Sequence, residues 1–443
     1  MMDYENLELI EKVIKSKDIS DYEIYLIESE IYEIEFIKAN VDSERQVNDL
    51  DYFIRLLDKE DEKSGMGIAK GNKLEEDKIN QTVDNCIKLS QINKSSDYFF
   101  PSPQSYSQIK PTSKEVLNYP STLIQNLTDK IKRKLIEFKK TTPTFGRIRI
   151  HIDHIFLNNS TGLNLDTKKS YFYLEFAIKA KKDKKLSEFW DVDYIGRFSD
   201  LKIEQRLDKW NKLALASINA VEPKSNNNAI VVFSPSLLKD ALIPVIGFHA
   251  SGKAFHEEQS FFKRSEKVAD SKITLLDNGL LEGGLRTSPW DGEGNPQRKT
   301  EIISNGIFEN RIYDQKYAIL EKTQSTGNGI RTSNGTIENT ITNMEILAGE
   351  LSLNEIFSNI NEGYFIQKCS WLNPDKYSGS FGTEIRNGYN IKEGTLGTPI
   401  KGGNLSGNVL DMIKRCEYIS KEREFSGNSY LPYIAFSNLR ISA

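Results

Sequence analysis

Cysteine is scarce: Cys86, Cys369 and Cys416 are the only three in 443 residues. They are odd in number, far apart and never in a Cys-x-x-Cys spacing, which argues against a disulfide framework or a thiolate zinc knuckle and points to a reducing compartment. No apolar run approaches the roughly twenty residues that a membrane span needs. An excess of one charge is missing too. With 59 basic and 63 acidic residues the formal charge is −4, so no global field draws in nucleic acid or an anionic membrane. The start, Met1-Met2-Asp3-Tyr4-Glu5-Asn6, is polar and acidic where a secretory signal is basic and then apolar. The expectation is a soluble cytoplasmic protein that binds neither nucleic acid nor membrane.

What is present suffices for two or three separate cores. The stretch from Asn226 to Arg331 organises the reading. Ala229-Ile230-Val231-Val232-Phe233 is an apolar run of strand length, and Ser234 or Ser236 can cap a helix in which Leu238, Leu242, Val245, Ile246 and His249 recur. Pro244 has no N–H to donate, which predicts a bend near Asp240 to Ala241 or a broken helix. Glycine then punctuates the chain at Asp277-Asn278-Gly279, Glu282-Gly283-Gly284, Asp291-Gly292-Glu293-Gly294, Asn305-Gly306 and Ser325-Thr326-Gly327-Asn328-Gly329-Ile330-Arg331, which reads as turns between short strands.

Taken in order, Ile230 to Pro235, the Asp291 turn with Gln297-Arg298-Lys299-Thr300, the Asn305-Gly306 turn and the Ser325 to Arg331 run resemble the carboxyl-terminal half of the TldD/PmbA family, also called peptidase U62 or the modulator of DNA gyrase family. The resemblance implies either a TldD-type zinc peptidase or its metal-free PmbA/TldE-type partner. A TldD-type chain carries His-Glu-x-x-x-His, whose imidazoles ligate zinc and whose carboxylate acts as general base. Here Pro244-Val245-Ile246-Gly247-Phe248-His249 stands at the loosely matching positions: Pro244 and Val245 replace the first His and the Glu, and His249 is retained. The late cysteine ligand has no counterpart in Lys421-Glu422-Arg423-Glu424-Phe425-Ser426-Gly427. The resemblance therefore implies a PmbA/TldE-type subunit with no catalytic, cofactor or metal residues of its own. Zinc would lie in a TldD-type partner, the two would act in proteolysis of unfolded or flexible peptides, and a homodimer could form alone.

The fold class expected is α+β: an amino-terminal half, 1–225, of small sheets with helices, and a β-rich carboxyl-terminal half, 226–443. A subdivision is expected near 93–118, a Ser-, Pro- and Gln-rich connection. Helices are expected at 6–17, 74–89 with Cys86 in its core stripe, from a Ser121 cap to before Pro143, 201–220, 353–359 and 409–418. Alternation predicts two strands within 22–38, others at 51–57, 66–69, 147–157, 171–178 and 433–439, and a solvated hairpin loop at 58–65. The 179–185 lysine cluster reads as a solvated loop.

Other candidate groups are weaker. His151 and His154, three apart in a strand, point to opposite faces and cannot share an ion. His249, His256 and Glu257 define the alternative function, an independent metal-dependent hydrolase with a rearranged site, although two turns of helix separate the imidazoles by about 10 Å. Asp291 and Glu293 could form an acid–base pair, yet glycine-flanked acids are what tight turns use. Residues 325–329 lack the Gly-Lys-Ser/Thr ending of a phosphate loop. A nucleic-acid-linked modulator rests on the family's older label alone, and the acidic balance opposes it.

Overall fold

The computed structural model describes residues 3–60, 63–92, 94, 95, 98–109 and 111–443. Among them the chain forms a seven-stranded sheet, an eleven-stranded sheet and a separate two-stranded hairpin. The α+β expectation holds, with strands dominating the second half.

The first sheet is antiparallel, in the order β4-β3-β2-β1-β5-β6-β7. Its strands are β1 (Tyr22–Ile37), β2 (Asn40–Glu60), β3 (Lys63–Gly71), β4 (Lys94–Ser95), β5 (Thr141–Asn159), β6 (Asn164–Lys182) and β7 (Lys185–Ile195). The two strands expected within 22–38 are one: β1 pairs with β2 and β5 along almost its whole length, and even-numbered residues stay on one face throughout. That face meets two helix layers. Ile24 and Leu26 pack with α1 (Asp3–Lys15) and α2 (Glu76–Ile92), where Cys86 is buried as expected. Tyr32, Ile34 and Phe36 pack with α3 (Lys114–Asn118), α4 (Pro120–Ile136) and α5 (Ile203–Ile218). Ser121 does not cap α4; it lies inside the helix, which opens on Pro120 after Tyr119. The 179–185 cluster is not a loop but the paired ends of β6 and β7, which turn at Asp183 and Lys184. The solvated loop expected at 58–65 is largely strand, because Asp58, Lys59 and Glu60 of β2 pair with Gly65, Ser64 and Lys63 of β3; 61 and 62 lie outside the described residues, as do 93, 96, 97 and 110 of the expected connection.

In the second half, β8 (Asn226–Phe233) is followed by α6 (Pro235–Ala250) and α7 (Gly252–His256). Next come β9 (Leu275–Asn278), β10 (Lys299–Ser304), β11 (Ile307–Phe308), α8 (Gln315–Leu320), β12 (Gly329–Arg331), β13 (Ile337–Asn339), β14 (Met344–Ile346) and α9 (Leu353–Ser358). The chain ends with β15 (Glu362–Cys369), β16 (Ser380–Lys392), β17 (Thr395–Ile400), β18 (Asn404–Asn408), α10 (Val409–Met412), β19 (Cys416–Phe425) and β20 (Ser429–Ser442). β8 pairs in parallel with β15 and antiparallel with β20, and β15-β16-β18-β20 completes a closed ring. Both faces of β8 are covered, Val231 and Phe233 by α6 and Val232 by the α9 side, which is why its sequence is continuously apolar.

Three expectations change here. Pro244 does not break α6, because the helix is enclosed by Leu237, Ala241, Leu242, Val245 and Ile246 packing into the largest core; the break comes at Ser251, which caps α7 by accepting from the Ala254 N–H. Asp277 and Asn278 lie in β9 rather than in a turn. The last helix stops at Met412, since Cys416 to Phe425 are claimed by pairing with β20. Asn305-Gly306 is a hairpin turn as read: φ is +44° and +83°, joining β10 to β11. No described helix is long and apolar enough to cross a membrane.

Candidate functional site

Ser234 accepts from the Leu237 N–H and starts α6, which then runs between two cavities. One, of about 490 Å³, is lined by Ile243, Pro244 and Phe248 of α6, by Arg55 and Tyr98 from the first half of the chain, by Glu293 and Asp314, and by β13. The other, of about 680 Å³, lies against Asp240, Ile243 and Pro244, with Phe425 and Ser426 among its walls. Pro244 and the 421–427 stretch, which the sequence treated separately, thus reach the same cavity.

Val245 and His249 do not face either cavity. Both are fully buried. The His249 ring stacks on Phe261 at 5.0 Å, its Nδ1 accepts the Phe261 N–H at 3.2 Å, and its Nε2 donates to the Tyr377 carbonyl at 3.1 Å. Burial lowers its pKa, and the bond to Tyr377 offsets only part of that. A neutral imidazole with both nitrogens engaged holds structure together. His249→Ala would remove a fully buried ring together with its bonds to the Phe261 N–H and the Tyr377 carbonyl and is expected to cost about 1–3 kcal/mol, read as a lower urea midpoint at unchanged slope.

The remaining histidines are not gathered. His256 bonds Glu321 at 2.7 Å and is half-exposed, while Glu257 accepts from the Tyr317 hydroxyl at 2.9 Å. The rearranged hydrolase site of His249, His256 and Glu257 is therefore not assembled: each has a different partner. His151 stacks on Tyr171 at 4.4 Å, and burial pushes its pKa to about 4; His154 meets Asp166 at 3.3 Å. Among the described residues, no three His, Cys, Asp or Glu side chains cluster as a metal site would require. Cys86, Cys369 and Cys416 are buried and unpaired, and burial raises each thiol to about 12.

Buried carboxylates gather at the Asp291 turn. Asp291 Oδ1 accepts the N–H groups of Glu293 and Asn295, and Oδ2 accepts that of Gly329, so Asp291 ties its own turn to β12. Glu293 accepts from Arg55 at 3.2 Å, the Tyr98 hydroxyl at 2.7 Å and the Gln315 N–H at 2.8 Å. At Gly329 a Cβ would stand 2.5 Å from Glu293 Oε2, so a side chain there would push that carboxylate from its partners. Arg55 also pairs with Glu23, its partner across β1 and β2, and Arg331 of β12 reaches the same Glu23. Burial and then the Glu293 charge push Asp291 up to about 7 and Asp314 up to about 8. Sequence reasoning singled out Asp291 and Glu293 but had no means of finding Glu23, Arg55, Tyr98 or Asp314, which ordinary spacing does not mark.

Residues 226–443 match the model of the PmbA/TldA metallopeptidase C-terminal domain. A metalloprotease of Methanocaldococcus jannaschii is 24% identical over 443 residues, covering 95% of this chain and 94% of the relative. A PmbA homologue of Buchnera aphidicola is 22% identical over 376 residues, covering 82% and 81%. The chain belongs to the TldD/PmbA family. The fold agrees with that of TldD/PmbA relatives: TldE from Thermococcus kodakarensis superposes with a TM-score of 0.86 at 23% identity, over 98% of this chain and all of that one.

Proposed function

We propose that this chain is the non-catalytic, TldE-type subunit of a cytoplasmic heteromeric zinc peptidase that acts on unfolded or flexible peptides. One observation carries the reading. The motif His-Glu-x-x-x-His needs groups at positions i, i+1 and i+5 on a cavity wall, and Ile243, Pro244 and Phe248 of α6 have that spacing and line the 490 Å³ cavity. This register lies one residue before the Pro244, Val245 and His249 assignment. In either register the helix offers the cavity no carboxylate and no imidazole, which supports placing the metal and the motif's base on the partner.

The cavity also suits an extended peptide. In the β12–β13 hairpin, Thr332 N–H bonds the Thr336 carbonyl and Thr340 N–H bonds the Asn328 carbonyl. Alternation then turns the backbone groups of Ile337 and Asn339 away from β12, on the strand that lines the cavity. A peptide strand can add there.

Co-expression with a chain from the same genome that carries an intact His-Glu-x-x-x-His tests the proposal. A complex should co-purify, hold about one zinc per pair, and cleave flexible peptides only when both chains are present. Near-stoichiometric zinc or peptidase activity in this chain alone overturns it, as does failure to associate.

A further inference from the structure

A third cavity, of about 770 Å³, lies away from α6's cavity-facing side, between the 263–264 loop, β10 and the 309–313 segment. It is lined by Lys263, Arg264, Arg298, Lys299 and Arg311 against only Glu301 and Glu309. In a chain with more acidic than basic residues, that concentration of positive charge is unusual. Lys263 meets Glu266 only at 4.0 Å, and the other four make no ion pair among the described residues.

Arg311 is the informative member. It is half-buried, its guanidinium stands 4.0 Å from the Phe255 ring centre and 5.1 Å from that of Phe308, and it donates to the carbonyls of His249 and Phe262 and to the Ser260 hydroxyl. Arg298 likewise bonds the Ser325 carbonyl. Both are fixed by neutral oxygens, so their positions are set before any countercharge arrives. Burial lowers the pKa of Arg311, and Glu321, the nearest acid acting on it, is bonded to His256. A partly desolvated cation without a carboxylate is costly, and an anion from outside removes that cost.

We propose that this cavity binds a small oxyanion of the polyphosphate class, with at least two linked phosphoryl groups held by the Arg264, Arg298, Lys299 and Arg311 cluster. One carboxylate would leave most of the positive charge unmatched, whereas adjacent phosphoryl groups offer several acceptors to forked guanidinium donors. The site goes beyond the subunit reading and needs neither zinc nor a partner.

Isothermal titration of the full chain with pyrophosphate at low salt tests it. Saturable one-to-one binding is expected, tighter than for inorganic phosphate. The Arg264→Gln/Lys299→Gln double variant, altered only at exposed side chains, should weaken it by at least about tenfold, while Lys179→Gln on the distant first sheet should not. Arg311→Gln should abolish binding, with a thermal melt to confirm folding. No saturable binding to the wild type, an unchanged double variant, or binding of a glutamate-rich peptide but not pyrophosphate would each overturn the proposal.

Discussion

Arg55→Ala is expected to destabilise the chain by about 3–5 kcal/mol, the range for removing one partner of a buried charge network. Arg55 is 2% exposed, and its loss removes the cation shared by two buried carboxylates, Glu23 at 0% and Glu293 at 1%, leaving Arg331 alone on Glu23 and only neutral donors on Glu293. Burial works against the Glu23 carboxylate, but the charges of Arg331 and Arg55 and their hydrogen bonds hold its pKa below the ordinary value. A depressed carboxylate stabilises the fold above its unfolded pKa, and that contribution is lost as pH falls through the folded one. In Arg55→Ala, Glu23 keeps Arg331 but loses one of the two charges that lower its pKa, so the loss should be smaller at low pH than at high pH. Urea unfolding at pH 5 and pH 8 checks both statements. Lys15→Ala, which breaks an exposed helical pair with Glu11, is the comparison and should cost under about 0.5 kcal/mol. If the two substitutions cost the same, the seam between the halves does not depend on Arg55.

The second large effect is a stability that falls as pH rises. Asp314 and Asp291 have folded pKa values raised to about 8 and about 7, because burial and the neighbouring Glu293 charge disfavour ionisation. Asp277 is raised to about 6 by burial, against the hydrogen bonds it accepts from Asn328, Thr342 and Asn343. Between the unfolded value near 4 and these folded values, the native state binds more protons than the unfolded one. This cluster therefore favours the folded state most at low pH, and the advantage is lost as pH climbs from about 4 to about 8. Glu23 acts in the opposite sense below that window. Asp314→Asn should remove much of the slope and stabilise the chain at pH 8 by a few kcal/mol, since the amide carries no charge yet can still accept from the Tyr317 N–H as the α8 cap. Chemical denaturation from pH 4.5 to 8.5 reads it. An unchanged slope in Asp314→Asn would show that Asp314 is not the group that titrates.

These two effects act at the same seam, which bears on the proposed role. Arg55, Glu293 and Asp314 line the cavity beside α6, so the charge network that joins the first sheet to the Asp291 turn also shapes the chamber wall. A subunit that contributes shape rather than a metal needs that wall rigid.

Local chemistry made much of this legible beforehand. Val231 and its neighbours read as a buried strand because the run is too short for a helix and both faces are covered. Asn305-Gly306 read as a turn because few residues accept positive φ. The failures are equally physical. Pro244 read as a bend or a break because its missing hydrogen bond is a local cost; the helix is not broken, since enclosure of α6 on several sides carries it through. The helix expected at 409–418 was cut short because β20 offers the backbone from Cys416 onward a pairing partner that no local pattern reveals.

By itself, then, the sequence determined the family, the α+β class and the burial of Cys86, because each depends on residue type and near-neighbour spacing. Tertiary structure alone decided which face of α6 meets the cavity, that both His249 nitrogens are occupied, and that Glu23, Arg55, Glu293 and Arg331 meet at one seam. Those groups are separated by up to 308 residues, and only the packing of the second half against β1 and β2 brings their charges within reach of one another.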